Sequence, residues 1–167
     1  MLIENVRNLL SIEKGFDFAG ILLVLDKIGY DAEWQVLDSA NFGVPQHRER
    51  LYIIGHIREK SSIKIFPISP KTQSEKIRHI GYRVFDTNGI SPTITTHGGG
   101  KYSIKVLNEK DKIARRLTPK ECFRLQGFPD DYFERAKSVN SNLQLYKQAG
   151  NSVTVNVVYE IAKRIGI

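Results

Sequence analysis

The feature that most constrains the fold is the continuous apolar run Leu51-Tyr52-Ile53-Ile54. An uninterrupted run of this length is typical of a strand covered on both faces, so it predicts a buried strand over 50–57. Residues 33–37 predict a second strand. The segment 16–28 carries apolar residues at helical spacing and is followed by Gly29, which predicts an amphipathic helix. Strands combined with a helix predict a piece of an α/β sheet.

The sequence changes character after Ile57. Residues 58–114 contain three prolines, two isolated glycines and the run Gly98-Gly99-Gly100. Because proline and glycine interrupt regular elements, this region is expected to form short strands and turns, with no helix.

Helical signals return in the C-terminal third. Thr118 is a favourable N-cap, proline follows it, and Glu121 completes a capping box. A second helix is predicted over 141–149, ending at Gly150. A last helix is predicted from about residue 151 to about residue 164, with its apolar residues on one face.

Composition limits the class of protein. The chain of 167 residues carries 25 Lys and Arg against 18 Asp and Glu, a net charge of +7 that favours a polyanionic partner. Its one cysteine cannot form an internal disulfide, and its four histidines lack zinc-ligand spacing, so no metal site is expected. No apolar run is long enough to span a bilayer and no signal peptide is evident, so a cytoplasmic location without membrane association is expected.

Four separated segments resemble motifs of the DNA cytosine-5 methyltransferases, in that family's order. They are Glu4-Asn5-Val6, the Gln-x-Arg-x-Arg motif within 42–52, the Arg-Leu-Thr-Pro-Lys-Glu segment continuing through Gln-Gly-Phe-Pro within 116–129, and Gly-Asn-Ser-Val within 148–157. The resemblance implies an α/β fold: a partial Rossmann-like methyltransferase domain dependent on S-adenosylmethionine, plus a small mixed target-recognition domain. It implies the C-terminal part of the catalytic domain in 1–57, the recognition domain in 58–139, and a return to the catalytic domain in 140–167.

The resemblance also implies catalytic roles. Glu4 matches the glutamate that polarises the cytosine ring at N3, and Arg48 and Arg50 match residues that hold the base and the DNA backbone. Two guanidiniums alternating along an extended segment point to one side, which suits a phosphate and a base edge. The ordinary alternatives are a solvated glutamate near a frayed terminus and a pair of surface ion pairs.

For the cofactor, S-adenosylmethionine, the resemblance implies contacts from Asn151, Ser152 and Val153. These residues are expected to begin the last helix, where free N–H groups and the helix dipole would suit the cofactor's carboxylate. The alternative is an ordinary Asn or Ser helix cap.

For duplex DNA, the resemblance implies recognition residues in the middle of the chain. Gln46 would help to hold its loop, and Thr93 would contact the backbone of the flipped nucleotide. Arg83 could read a guanine edge, and Gly98 and Gly99 would allow close approach of the backbone. A flexible hairpin tip is the competing interpretation of the glycines.

Two motifs of the family are absent from the sequence: the Phe-x-Gly-x-Gly cofactor motif and the Pro-Cys-Gln nucleophile motif. Cys122 lies within the predicted helix after Thr118 and is expected to be a packed structural cysteine. A second polypeptide carrying the missing segments is therefore expected to complete a split methyltransferase, of the kind found in restriction–modification systems. A non-catalytic DNA-binding remnant of a truncated enzyme, or a partial gene product without a role, is the alternative.

Overall fold

The structure, a computed structural model, describes residues 1–59, 64–69, 84–85, 87–96, 103–107 and 113–166. Short 3-10 segments lie at Arg7–Leu10, Ile12–Gly15 and Ser39–Phe42. No helix in these ranges is both long and apolar enough to cross a membrane. The strands and helices are, in chain order, β1 (Leu2–Val6), α1 (Phe16–Lys27), β2 (Tyr30–Asp38), β3 (Glu49–Ile57), β4 (Val84–Phe85), β5 (Lys105–Leu107), β6 (Ala114–Arg116), α2 (Pro119–Leu125), α3 (Asp130–Lys137), α4 (Asn142–Asn151) and α5 (Val155–Ile165).

The chain forms two compact units. Unit 1 comprises Met1–Asp38, Glu49–Pro70 and Tyr159–Ile167, and unit 2 comprises Ser39–Arg48 and Lys71–Val158. These bounds differ from the predicted boundaries after residues 57 and 139, because the segment before β3 and the helix α4 belong to unit 2. Compactness does not assign a function, so the division into catalytic and recognition domains stays a prediction.

Unit 1 is built on a three-stranded sheet with the order β1-β3-β2. Strand β3 is antiparallel to both neighbours, so β1 and β2 run in the same direction on either side of it. Leu51 and Ile53 pack on one face with Leu9, Phe18 and Leu25. The predicted helix and both predicted strands are confirmed.

The opposite face of this sheet explains why β3 is apolar from Leu51 to Ile54, since side chains of β2 hold the segment 64–69 against it. The carboxylate of Glu33 accepts hydrogen bonds from the N–H groups of Ile65 and Phe66 at 2.7 and 2.9 Å. The amide oxygen of Gln35 accepts a hydrogen bond from the N–H of Ile68 at 2.7 Å. Ile65, Phe66 and Ile68 are all buried, and both faces of β3 lie away from water between Leu51 and Ile54.

Unit 2 combines a small sheet of order β4-β5-β6 with the helices α2, α3 and α4. The predicted capping box is confirmed: the N–H of Glu121 donates to the Thr118 hydroxyl, and the Thr118 N–H donates to the Glu121 carboxylate at 2.7 Å. Helix α3 was not anticipated from the sequence. The helices enclose an apolar core composed of Ile94, Cys122, Phe123, Phe133, Leu145 and Ala149.

Gly150 does not end α4 as predicted, because this helix continues to Asn151 and α5 begins only at Val155. A Cβ at position 150 would lie 2.6 Å from the backbone nitrogen of Thr96 and 2.7 Å from the carbonyl carbon of Thr95. The glycine therefore permits close approach of two backbones. A sequence pattern cannot separate this role from helix termination, since both require the missing side chain.

Candidate functional site

In unit 1, Glu4 and Arg50 lie close together on adjacent strands. In the register of β1 and β3, Glu4 lies opposite Tyr52 and Val6 lies opposite Arg50. Glu4 and Arg50 therefore share a face of the sheet as diagonal neighbours. Nε of Arg50 lies 3.2 Å from Oε1 of Glu4, and 17% and 24% of the two side chains are exposed. The pair is thus a carboxylate and a guanidinium fixed on strands and partly open to solvent.

In unit 2, Gln46 holds its loop. The residue is fully buried, its Nε2 donates to the Leu125 carbonyl at 2.9 Å, and its Oε1 accepts from the Ile94 N–H at 2.8 Å. The Thr93 hydroxyl donates to the His47 carbonyl at 2.7 Å, which ties the same two segments together. The loop-holding part of the Gln46 prediction agrees with this geometry. Contact of Gln46 or Thr93 with DNA stays a prediction.

Arg48 has a different environment from Arg50. Only 3% of it is exposed, and its Nη2 donates to the carbonyls of Gly150 and Ser152 at 3.2 and 2.9 Å. These contacts satisfy carbonyl groups at the C-terminal end of α4. Arg48 therefore has a structural contact within unit 2. Its expected role, to hold a nucleotide together with Arg50, stays a prediction.

A buried hydrogen-bond network connects three of the motif segments within unit 2. The Thr154 hydroxyl donates to Oε1 of Gln126 at 2.9 Å and lies 2.7 Å from the Ser39 hydroxyl. Gln126 Nε2 donates to the Ala149 carbonyl at 2.8 Å, and the Ser39 N–H donates to the Arg48 carbonyl at 3.1 Å. Ser39, Gln126 and Thr154 are each at most 1% exposed. The network links the segments carrying Arg48, Gln126 and Thr154 through groups shielded from water.

Sequence reasoning missed Ser39, Gln126 and Thr154. Gln126 and Thr154 lie inside motif segments, but polar residues there were assigned by resemblance alone. The sequence signal that could have found them is the adjacent Gly127. In the structure this glycine has a φ of +79°, and a Cβ there would lie 2.5 Å from Oδ1 of Asn156. A glycine beside a polar residue, in a segment with buried neighbours, indicates a close turn whose polar groups need internal partners.

The expected cofactor contacts at Asn151, Ser152 and Val153 rested on a last helix beginning at residue 151, and that expected helix start is wrong, because α5 begins at Val155. Asn151 is the last residue of α4, and Ser152 is its C-cap. The Ser152 hydroxyl donates to the Ala149 carbonyl at 2.9 Å. The C-terminal end of a helix carries partial negative charge, so Asn151 and Ser152 do not offer the helix N-terminus that was predicted for an anion. Cofactor contact by any of the three stays a prediction without that geometric support.

Arg83, Gly98 and Gly99 lie outside the described residues. Their predicted roles in reading a guanine edge and in approaching the DNA backbone therefore stay predictions.

Two side chains of α2 have pKa values far from those of the free amino acids. The Arg115 guanidinium donates to both carboxylate oxygens of Glu121 at 2.9 and 2.7 Å, and chiefly for this reason the pKa of Glu121 falls from 4.5 to about 2. Burial, with a smaller contribution from Glu121, raises the pKa of the Cys122 thiol to about 12. A thiol of this kind stays protonated at neutral pH and is a poor nucleophile.

Unit 2 also contains an apolar cavity of about 340 Å³. Three charged residues line it, and each belongs to an ion pair. Arg115 pairs with Glu121, and Arg124 pairs with Asp130 at 2.6 Å. Each of its charged lining residues thus already has an ionic partner. The remaining lining residues are Pro45, Phe85, Thr87, Gly89, Ser91, Ile104, Val106, Leu117 and Leu125.

The motif segments and the geometry around them can be compared with known proteins. The family profile described as C-5 cytosine-specific DNA methylase matches residues 1–88 and 70–167. The chain belongs to this family. It is 33% identical to the type II methyltransferase M.SsoII of Shigella sonnei, covering 98% of this chain and 52% of that protein. It is 30% identical to M.Bsp6I of Bacillus sp. (strain RFL6), covering 99% of this chain and 64% of that protein.

Solved structures show the same fold. The methyltransferase EhMeth of Entamoeba histolytica matches with a TM-score of 0.74 at 17% identity, over 98% of this chain and 61% of that one. Dnmt2 of S. pombe matches with a TM-score of 0.70 at 18% identity, over 98% and 63%. These matches confirm the predicted class, a partial Rossmann-like methyltransferase fold. The chain corresponds to the C-terminal part of its curated relatives and spans about half to two-thirds of their length.

Proposed function

We propose that this chain is the C-terminal part of an enzyme that transfers a methyl group from S-adenosylmethionine to C5 of a flipped cytosine in duplex DNA. The observation that carries the proposal is the Glu4–Arg50 pair, because both residues match catalytic positions of the family and lie 3.2 Å apart on adjacent strands. Strands hold side chains more rigidly than loops do, which suits a site that must position a base.

The chemistry needs groups of this kind. C5 of cytosine is a poor nucleophile until a thiolate adds to C6, forming a C–S bond and making C5 enamine-like. Bound S-adenosylmethionine would supply the methyl group to C5 and leave as the neutral thioether. A base would then take the proton from C5 as the C–S bond at C6 breaks, which releases the thiolate and restores the ring. We assign the Glu4 carboxyl group to share a proton with ring N3, where negative charge develops during thiolate addition. Arg50 orients Glu4 and contacts the O2 edge of the base.

The nucleophile has to come from outside these 167 residues. The sequence holds one cysteine, and burial raises the pKa of that residue, Cys122, to about 12. A Pro-Cys-Gln segment supplied in the same protein or by a second polypeptide would complete the site. Asn151 and Ser152 end α4, so contact of Asn151, Ser152 and Val153 with the cofactor stays a proposal that rests on the motif match.

The test is incorporation of labelled methyl groups into duplex DNA. The chain would be assayed alone and mixed with a polypeptide comprising the N-terminal part of M.SsoII that the chain does not match. We expect activity only in the mixture. Glu4→Gln should lower the rate by about 10²–10³-fold, as removal of one transition-state hydrogen bond typically does.

Glu49→Gln is the matched control, because Glu49 is a carboxylate on the same strand as Arg50 and pairs with Arg7 at 2.7 Å. It should retain activity within about twofold, a change of less than roughly 0.5 kcal/mol in the barrier. Equal rates for Glu4→Gln and the wild type would remove Glu4 from the mechanism. Activity of the chain alone would show that the nucleophile has been misassigned.

A second function is favoured by the net charge of +7 and the protonated cysteine: sequence-independent DNA binding without catalysis. Such binding should weaken steeply with salt because it depends on release of counterions. Salt-sensitive binding combined with no methyl transfer in the mixture would select this alternative.

A further inference from the structure

The small sheet of unit 2 differs in charge between its two faces. Side chains alternate along a strand, so Phe85, Val106 and Arg115 share one face and line the apolar cavity. On that face the positive charge of Arg115 is neutralised by Glu121, 2.7 Å away. The other face carries two cations and no carboxylate among its described strand residues. They are Val84, Lys105, Leu107, Ala114 and Arg116.

The two cations of this face lie directly opposite each other. Strands β5 and β6 are antiparallel, and Lys105 is the partner of Arg116 in their register. Directly opposed residues of an antiparallel pair have Cβ atoms about 4.5–5.5 Å apart, and like charges in these positions destabilise a sheet. Neither side chain has an ion pair with any residue that the structure describes. The sheet therefore keeps a repulsive pair that a carboxylate at either position would replace with an attractive one.

The backbone that carries the pair is held in place. The N–H of Leu117, the residue after Arg116, donates to the Ile104 carbonyl at 3.3 Å, and the Tyr146 hydroxyl donates to the Leu117 carbonyl at 2.7 Å. Arg116 is exposed and Lys105 is half-buried. The two cations are thus presented to solvent from a fixed backbone, which lowers the entropy that a ligand would have to remove.

An anion held between the two side chains would remove their repulsion. Lysine and arginine side chains are hydrogen-bond donors without acceptors, so the pair is complementary to a group that has several acceptor oxygens. A phosphate fits, because a guanidinium can bind two of its oxygens while the ammonium acts as a point charge. The net charge of +7 and the DNA methylase family favour a phosphate of the DNA backbone.

We propose that Lys105 and Arg116 form a site in unit 2 that binds one phosphate of the duplex DNA backbone. Phosphates carry no base identity, so the site contributes affinity and the register of unit 2 on the duplex rather than sequence preference. The stability that the free sheet loses through repulsion is recovered when DNA is bound. The inference rests on the proposed function only in taking duplex DNA as the partner, because the site needs neither the nucleophile nor the cofactor.

The first experiment measures binding of the full chain to a labelled duplex by fluorescence anisotropy at several salt concentrations. Arg116→Gln and Lys105→Gln should each weaken binding about five- to tenfold near 0.1 M salt, and lower the slope of log K against log salt by about one. The double variant should also lower the slope by about one, because both residues contact the same phosphate. Two duplexes of unrelated sequence should lose affinity equally.

Lys137→Gln is the matched control. Lys137 is an exposed cation of the same unit, it lies on α3 and not on the sheet, and its replacement removes the same charge as Lys105→Gln. Because salt screens charges that do not contact the duplex, the control should change the affinity by less than about twofold and leave the slope unchanged. A loss equal to that of Lys105→Gln would show that only the total charge of the chain matters.

The melting temperature of the free chain gives a second readout. Removing one of two opposed cations should raise it by up to about 3 °C at low salt, and the gain should shrink at high salt. Lys137→Gln should not raise it, because a cation in the last turn of a helix is favourable. A gain in stability together with a loss of DNA affinity indicates a binding site. A structural role for either side chain would lower both.

Four outcomes would overturn the proposal. They are absence of DNA binding by the wild type, unchanged affinity in both single variants, an equal loss in Lys137→Gln, and stabilisation by millimolar inorganic phosphate that both variants lose while their DNA affinity is unchanged. The last would assign the pair to free phosphate. DNA binding that depends on both residues, without methyl transfer in the mixture, would count against the proposed function alone. Methyl transfer with an unchanged KM for DNA in the double variant would count against the phosphate site alone.

Discussion

The two units differ in how far the polar residues of their motif segments are exposed to solvent. Unit 1 keeps Glu4 and Arg50 partly open to solvent, where a nucleotide could reach them. Unit 2 buries Gln46, Gln126 and Thr154 and satisfies each with hydrogen bonds from within the unit. Burying a polar group without a partner costs more than one hydrogen bond contributes, so the buried set must be complete. Motif residues are thus partly exposed in one unit and held by buried hydrogen bonds in the other.

The helix glycines Gly150 and Gly20 also differ between the two units. Their substitution should give the largest expected effect on the free energy of unfolding. Gly150→Ala in unit 2 should lower the free energy of unfolding by about 3 kcal/mol, because the new Cβ would overlap backbone atoms that cannot move away easily. Gly20→Ala in unit 1 should instead raise it by up to about 1 kcal/mol, because a Cβ at position 20 would meet nothing within 4 Å. Urea denaturation followed by circular dichroism measures both. Similar effects of the two substitutions would contradict the contrast.

Removing the Thr154 hydroxyl should have the next largest effect. Thr154→Val keeps the shape but leaves Gln126 Oε1 and the Ser39 hydroxyl without this partner, at a cost of about 2 kcal/mol. Ser39→Ala should cost less in the Thr154→Val background than in the wild type, with a coupling of about 1 kcal/mol. Denaturation of the two single variants and the double variant measures the coupling. Additive effects would show that the two hydroxyls act independently.

The pH dependence of stability tests the start of α2. The pKa of Glu121 is lowered from 4.5 to about 2, so its contribution is present above pH 4.5 and is lost as pH falls towards 2. Because the side chain is partly exposed, we expect about 1 kcal/mol after screening. Glu121→Gln should lack this component, so the stability difference between the wild type and the variant should shrink on acidification. If the stabilities of the wild type and the variant change in parallel with pH, the ion pair of Glu121 with Arg115 does not contribute to the pH dependence.

The smallest stability effect is expected at the candidate catalytic pair. Glu4→Gln should change the free energy of unfolding by less than about 1 kcal/mol, since partly exposed ion pairs contribute little. Thermal melting of the chain alone measures this. A large loss of stability would mean that the pair is mainly structural, and would weaken any activity argument based on the same variant.

Much of the fold follows from local sequence rules. Residues 16–28 have the helical periodicity that identifies α1, residues 50–57 contain the continuous apolar run that identifies β3, and the capping box at Thr118 fixes the start of α2. These signals are local, and the structure confirms them. Helix α3 was missed because its eight residues present few apolar side chains and many charged ones.

The candidate site was only partly predictable. Glu4 and Arg50 were named because they match motifs, but their proximity depends on the register of β1 and β3, which the sequence does not show. The helix N-terminus expected at Asn151 failed because Gly150 fits inside α4 against another backbone. Gln126 and Thr154 were missed because a buried network is a property of tertiary packing, with partners more than 20 residues apart.

Because Cys122 is buried, the rate at which its thiol reacts can be used to measure opening of the core of unit 2. The one sulfhydryl in the sequence lies in the core of unit 2 with its pKa raised to about 12, so a thiol-reactive dye can modify it only when that core opens. The rate of labelling therefore reports the opening of unit 2 without any introduced probe. In a mixture with a polypeptide that carries a reactive cysteine, the dye would label the partner first, so the two sulfhydryls could be followed separately in a single time course.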